Sequence, residues 1–221
     1  MQLYDTIAYA GKRFGANKIV LFGSRARGDN NERSDIDIAV FGMPEENQPL
    51  FAEEIENLPT LLCFDLIFIR PDTSEALLTN IRRDGKILMS RLNDKLKNFN
   101  NAVCRLDEAL AEYSLCKLTS SRDGVIQRFE FCAELAWKTV KEYLAEQGYS
   151  DINSPKAVMK QAFADKIIEN ETVWLEILQA RNMTSHIYDD NTAADIFKAI
   201  ESKYIEQFKA LYTKLYSQER N

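Results

Sequence analysis

The chain is short of the residues that build common metal and redox sites. Its 221 residues include one histidine, His186, and four cysteines. Cys63, Cys104, Cys116 and Cys132 are scattered, with no C-x-x-C pair. A Cys/His zinc site and a disulfide framework are therefore not expected, and the cysteines read as small core residues. No apolar run approaches the ~20 residues that a membrane-spanning helix needs. Met1-Gln2-Leu3-Tyr4-Asp5 lacks the pattern of a signal peptide. A cytoplasmic location and no membrane partner are the expectations. Positive charge is not in excess either: 28 Lys and Arg stand against 34 Asp and Glu, a net charge of −6. That balance argues against a general nucleic-acid binder and leaves room only for a local basic groove. There is no internal repeat and no low-complexity segment. With 45% hydrophobic and 28% charged residues, the composition is that of an ordinary globular protein, long enough for one large or two small domains.

What is present is concentrated in Leu21–Phe41, LFGSRARGDNNERSDIDIAVF. Val20-Leu21-Phe22 reads as a strand, and Gly23 permits a tight bend after it. Ser24 is placed to cap a following helix, whose free backbone N–H groups would suit a phosphate. Arg25 and Arg27 add positive charge, either as phosphate ligands or as plain surface residues. After ten intervening residues, Ser24 is followed by Asp35-Ile36-Asp37 at the head of a second strand. Side chains alternate along a strand, so Asp35 and Asp37 share one face while Ile36 and Ile38 take the other. Two like charges on one face beside apolar flanks are costly. A hard divalent cation relieves that cost, because it takes oxygen ligands and bridges to phosphates. Residues 61–69, LLCFDLIFI, hold one charge, Asp65. A lone acid in a strand expected to be buried is either the partner of a core arginine or a third carboxylate for the same site.

This stretch resembles the nucleotidyltransferase superfamily related to DNA polymerase beta, and most of all its minimal members. Their GSRARG and SD-x-D patterns match Gly23-Ser24-Arg25-Ala26-Arg27-Gly28 and Ser34-Asp35-Ile36-Asp37. The resemblance implies that Asp35, Asp37 and Asp65 are catalytic and hold Mg2+ or Mn2+. It implies that Gly23, Ser24, Arg25 and Arg27 bind ATP or another nucleoside triphosphate.

The elements fall into two kinds. Helices are expected over residues 2–14, 48–58 and 74–83, and strands over 18–22, 36–41, 61–69 and 86–89, which together make an α+β unit with a small mixed sheet. After about Leu92 the strand signals stop. Residues 93–117 carry Leu96, Phe99, Val103, Leu106, Leu110 and Tyr113 at steps of three and four. A second helix is expected from Ser121 to Gln147, ended by Gly148. Ser154-Pro155 and Asn170 read as helix starts, and Thr192-Ala193-Ala194-Asp195 as a capping box before a last helix. The expected domains are thus 1–92, α+β, and 93–221, an all-α up-and-down bundle of five helices. Its apolar stripes also permit a second copy to pair through the helical half.

The histidine sits in Arg181-Asn182-Met183-Thr184-Ser185-His186-Ile187-Tyr188. A lone histidine is more often packed than functional, but here arginine, asparagine and tyrosine accompany it at the end of a helix. Arginine binds phosphate bidentately, and histidine exchanges protons near neutral pH. The run resembles the R-x4-H-x-Y motif of HEPN domains. Residues 96–215 resemble the HEPN-like substrate-binding proteins that accompany minimal nucleotidyltransferases. Arg128-Phe129-Glu130-Phe131 and Leu135-Ala136-Trp137-Lys138 add to that likeness. In one group of relatives the helical protein is a toxin ribonuclease, silenced when AMP is transferred to the motif tyrosine, here Tyr188. In another it only helps to bind substrate.

Three functions follow. The first is a Mg2+-dependent transferase moving a nucleoside monophosphate, AMP from ATP for preference, to an acceptor hydroxyl presented by the bundle. The acceptor could be a protein tyrosine, a small molecule or an RNA end. The second is a fused toxin–antitoxin unit working through Arg181, His186 and Tyr188. The third is a nucleotide-binding assembly module without catalysis.

Overall fold

The computed structural model describes residues 3–147, 149, 152–184 and 190–219. The chain divides into two compact units, Met1–Arg91 and Leu92–Asn221.

The first unit contains α1 (Leu3–Arg13), β1 (Lys18–Phe22), α2 (Gly23–Arg27), β2 (Ile36–Phe41), α3 (Gln48–Glu56), β3 (Phe64–Ile69), α4 (Glu75–Asp84) and β4 (Lys86–Ser90). The sheet order is β3-β2-β1-β4. β1 pairs antiparallel with β2 and with β4, while β2 and β3 run parallel, so the sheet is mixed. Strand alternation divides the apolar residues between two faces. Ile19, Leu21, Ile36, Ile38 and Val40 pack with Ile7 of α1 and with Phe51 and Ile55 of α3. Val20, Phe22 and Ala39 pack with Ile81 of α4, flanked by Phe41, Ile67 and Ile69. The parity of Ala39 and Phe41 belongs also to Asp37, and that of Ile67 and Ile69 belongs to Asp65. The acids therefore lie on the α4 face, at the ends of β2 and β3 where these strands begin.

The expected strand over 61–69 begins only at Phe64. β3 is an edge strand, and Asp65 on it is exposed rather than buried. Apolar residues of this strand pack on both sheet faces, Phe64, Leu66 and Phe68 on the α1 and α3 side and Ile67 and Ile69 on the α4 side, while Asp65 near its start is open to solvent and has no need of a buried arginine.

The second unit is a helical bundle. It contains α5 (Arg91–Cys116, beginning one residue before the unit), α6 (Thr119–Glu146), α7 (Pro155–Ala164), α8 (Glu171–Thr184), α9 (Asp190–Ala199) and α10 (Ile205–Glu219), with a π-helical turn, Ile200–Tyr204, joining the last two. The last of the expected helices is thus a run of two joined by that turn. Phe208 lies at the centre, its ring 6.2 Å from Phe99, 6.1 Å from Phe129 and 5.6 Å from Trp174. Ser154 caps α7, accepting from the Ala157 N–H at 3.2 Å, and Asn170 caps α8, accepting from the Val173 N–H at 3.1 Å. Two expected starts differ. α6 begins at Thr119, with Leu118 and not Ser121 at the cap position and no side-chain cap bond. The last helix already includes Asp190, upstream of Thr192. The expected stop at Gly148 lies outside the described residues. Of the cysteines, Cys132 is a core residue, whereas Cys63, Cys104 and Cys116 are exposed, because they fall off the apolar faces of their segments.

Candidate active site

The site begins at a glycine. Gly23 follows β1 with φ +69°, the left-handed region that side chains avoid. A Cβ built there would stand 2.0 Å from Asp37 Oδ2, so the Asp37 carboxylate lies directly against the Gly23 backbone. Phe22 pairs with Asp37 across β1 and β2, which brings the turn and the acid to the same end of the sheet. Ser24 lies inside α2 and does not cap it: Phe22 holds the cap position and makes no side-chain cap bond. The Ser24 carbonyl accepts the Gly28 N–H at 2.8 Å and the Asp29 N–H at 3.2 Å, closing the short helix into the loop that leads to the acids.

Asp37 stands opposite Asp65 in the parallel register of β2 and β3. Burial raises the Asp37 pKa above the ordinary carboxylate value, and the charges of Asp65 and then Asp35 raise it further. Arg27 and the backbone N–H of Asp37 act the other way and do not cancel the rise. Asp65 and Asp35 are thus both near enough for their charges to act on Asp37. Among the described residues no three His, Cys, Asp or Glu side chains are gathered closely enough to hold a metal ion as they stand. The fit to a divalent cation rests on chemistry: mutually repelling oxygen donors, one of them destabilised as an anion.

The two arginines part company. Arg25 turns back on its own loop, donating from Nε at 2.9 Å and Nη2 at 2.7 Å to the Ser34 carbonyl, and weakly to the Glu32 carbonyl at 3.4 Å. That clamp fixes the residue immediately before Asp35. The loop is further tied by the Asn31 N–H donating to Ser34 Oγ at 3.0 Å and the Arg33 N–H donating to Asn31 Oδ1 at 2.8 Å. Arg27 faces the acids. It pairs with Asp29 at 3.1 Å and reaches Asp84 at 3.8 Å. Asp84, at the end of α4, lies outside the sequence motif; the run Arg82-Arg83-Asp84-Gly85 carries the only local signal of it.

In the helical unit Arg181 is held on α8 against α6. Its Nη2 lies 3.2 Å from Glu134 Oε2, and its Nη1 donates to Asn182 Oδ1 at 3.2 Å. The same Glu134 carboxylate accepts Trp137 Nε1 at 3.1 Å and pairs with Lys138 at 2.9 Å. Burial opposes its ionisation, but the hydrogen bonds from Lys138 and Trp137 and the charges of Lys138 and Arg181 outweigh burial and lower its pKa. Glu134 is a partner for Arg181 that the motif alone does not reveal. His186 and Tyr188 lie outside the described residues.

Among the described residues no helix is long and apolar enough to cross a membrane. Comparison with known proteins divides the chain as its elements do. Residues 5–94 match the family described as polymerase beta, nucleotidyltransferase, and residues 94–217 match the family described as nucleotidyltransferase substrate binding protein like. A probable ribonuclease HepT from Haemophilus influenzae is 32% identical over 87 residues, 38% of this chain; the match spans 60% of that relative's length. A solved Haemophilus influenzae structure, described as the fold of a substrate binding domain of a nucleotidyltransferase, superposes with a TM-score of 0.51. It is 24% identical and covers 55% of this chain and 98% of its own. A toxin–antitoxin structure named MntA-HpeT gives a TM-score of 0.50 at 16% identity, covering 57% of this chain and 97% of its own. At these identities the two structures speak to fold alone.

Proposed function

We propose that this chain, which belongs to the nucleotidyltransferase substrate-binding protein-like family and carries a polymerase beta-type nucleotidyltransferase domain ahead of that region, transfers AMP from ATP to an acceptor hydroxyl. The observation that supports the reading is Asp37, set against the Gly23 turn and opposite Asp65 in the register of β2 and β3, with Asp35 near enough to raise its pKa. In the transfer, the acceptor oxygen attacks the α-phosphorus and forms a new P–O bond. The bond from that phosphorus to the oxygen bridging to the β-phosphate breaks, and pyrophosphate leaves. Asp65, exposed on the edge strand where an incoming molecule can reach it, takes the hydroxyl proton. Asp35 and Asp37 are the residues that would hold Mg2+, with Asp65 completing the set. Bound there, Mg2+ supplies charge neutralisation for the triphosphate and for the attacking and leaving oxygens. Gly23 gives the phosphates close access to backbone, Ser24 offers a hydroxyl, and Arg27 balances the acids. Arg25 keeps the loop before Asp35 in place.

Incubation of the protein with ATP labelled on the α-phosphate and Mg2+ tests the reading. Label should pass to an acceptor, and Asp37→Asn should abolish the transfer. Absence of both transfer and nucleotide binding would sink it.

A second reading is favoured by one observation, the similarity to a probable ribonuclease HepT. Under it, Arg181 and His186 form a ribonuclease centre that transfer of AMP to Tyr188 switches off. Intact-mass measurement separates the two: a gain of one AMP on Tyr188 supports self-modification, and an unmodified chain that still labels a foreign acceptor speaks against it.

A further inference from the structure

We propose that Arg27 and Arg83 form a receptor for the polyphosphate tail of the nucleotide, and that the Asp84 carboxylate fills this receptor until the nucleotide arrives. Such a receptor rests on the nucleotidyltransferase reading and adds to it a binding subsite with a built-in competitor.

Asp84 is a charge in an unfavourable place. It is the last residue of α4, where the aligned peptide dipoles oppose an anion. Its side chain is nonetheless largely covered, at 14% relative exposure. Two guanidinium groups from different elements keep it there. Arg83 donates from Nε at 2.8 Å and from Nη2 at 2.7 Å, one bond to each carboxylate oxygen. Arg27 Nη1, from α2, lies 3.8 Å from the same Oδ2. Arg83 lowers the Asp84 pKa, by hydrogen bond more than by charge, and Arg27 adds a smaller pull; together they overcome the opposing effect of burial. The cations themselves are open to solvent, Arg27 at 44% and Arg83 at 64%. A covered anion between two exposed arginines is the arrangement that a soluble anion would take over, and the guanidinium fork fits phosphate oxygens as well as carboxylate.

Place decides which anion. α2 packs against α4 and against β1 and β2. Arg27 is close enough to the acids to lower the Asp37 pKa. Gly85 lets α4 end tight on the sheet: a Cβ there would meet the Ile81 carbonyl oxygen at 2.2 Å and Val20 Cγ1 at 2.6 Å. The receptor therefore borders the three-acid face. Arg27 is also paired with Asp29 at 3.1 Å, so Asp29 and Asp84 are the two carboxylates an incoming phosphate has to displace from it. Three carboxylates repel a triphosphate, and a pair of arginines beside them is where its far phosphates find compensation.

Removing the competitor should tighten binding. Titration of the full chain with inorganic tripolyphosphate, without added metal, is the first readout. Asp84→Asn is expected to lower its Kd by roughly tenfold. Adding Arg83→Gln to that variant should remove the gain. With Mg2+ present, an ATP analogue carrying methylene between the α- and β-phosphates should follow tripolyphosphate, and AMP should not. An Asp84→Asn protein that binds tripolyphosphate no better than the parent overturns the proposal. Should Asp84→Asn fail to fold, Arg83→Gln alone decides: tripolyphosphate must weaken more than AMP, and equal changes overturn the proposal. Tightened tripolyphosphate binding by Asp84→Asn, with no label transfer by the parent chain, would uphold the receptor and count against the transferase reading. Label transfer with unaltered tripolyphosphate affinity would do the reverse.

Discussion

Gly23 and Asp37 set the site at the scale of single residues. At Gly23 a side chain is excluded twice, by φ +69° and by Asp37 Oδ2 at 2.0 Å from the Cβ position. Gly23→Ala is expected to cost at least ~1 kcal/mol of stability from backbone conformation alone and to displace the carboxylate. Thermal unfolding would show the first effect and ATP titration the second. Asp37 is held at a raised pKa. An acid whose pKa is higher folded than unfolded binds its proton more tightly in the fold. Its contribution to stability is present below the unfolded pKa and is lost as pH rises through the folded one. In protein freed of divalent metal, Asp37→Asn should therefore melt above the parent at pH 7, with the difference closing as pH falls toward the carboxylate range. Mg2+ should raise the melting temperature of the parent and not of the variant. Both residues were legible in the sequence, because a glycine after an apolar strand marks a turn and two acids at period two mark one face of a strand. The exposure of Asp65 and the role of Asp84 were not. Exposure depends on which strand ends at the sheet edge, and the partners of Asp84 include one from another element.

At the scale of elements, the loop from Gly28 to Ser34 does for Asp35 what β2 does for Asp37. Arg25 is its clamp, with two bonds to one carbonyl. Arg25→Ala should cost about 1 kcal/mol, a charged hydrogen bond discounted for partial exposure. It should also speed amide exchange across residues 29–35, while Arg25→Lys, without the fork, should not restore protection. An arginine beside a phosphate turn suggests a ligand to the nucleotide, and on sequence alone Arg25 fits that role. Its direction is settled by the return of the loop past α2. Helix starts divide likewise. Ser154 and Asn170 cap as their positions suggest, and Ser154→Ala should cost ~1 kcal/mol on thermal unfolding. Ser121 and Thr192 do not begin their helices, each lying inside a helix that already includes residues before it.

For the whole molecule, the two units have separate cores. The residues around Phe208 all come from the helical unit, and those on the two sheet faces all come from the first. Phe208→Ala should destabilise the bundle by about 3–5 kcal/mol, with loss of amide protection spread over α5, α6, α8 and α10 and sparing β1, β2 and β3. Class of element, the change of character near Leu92 and the phosphate-and-acid motif could all be read along the chain, because each depends on neighbours a few residues apart, through alternation, helical period or turn chemistry. The choice of partners could not. That Asp65 lies at an edge, that Arg25 clamps while Arg27 faces the acids, that Glu134 holds Arg181 and that Asp84 sits between two guanidinium groups all follow from how the elements are brought together. Such contacts are set by how faces pack, and local pattern carries no record of them.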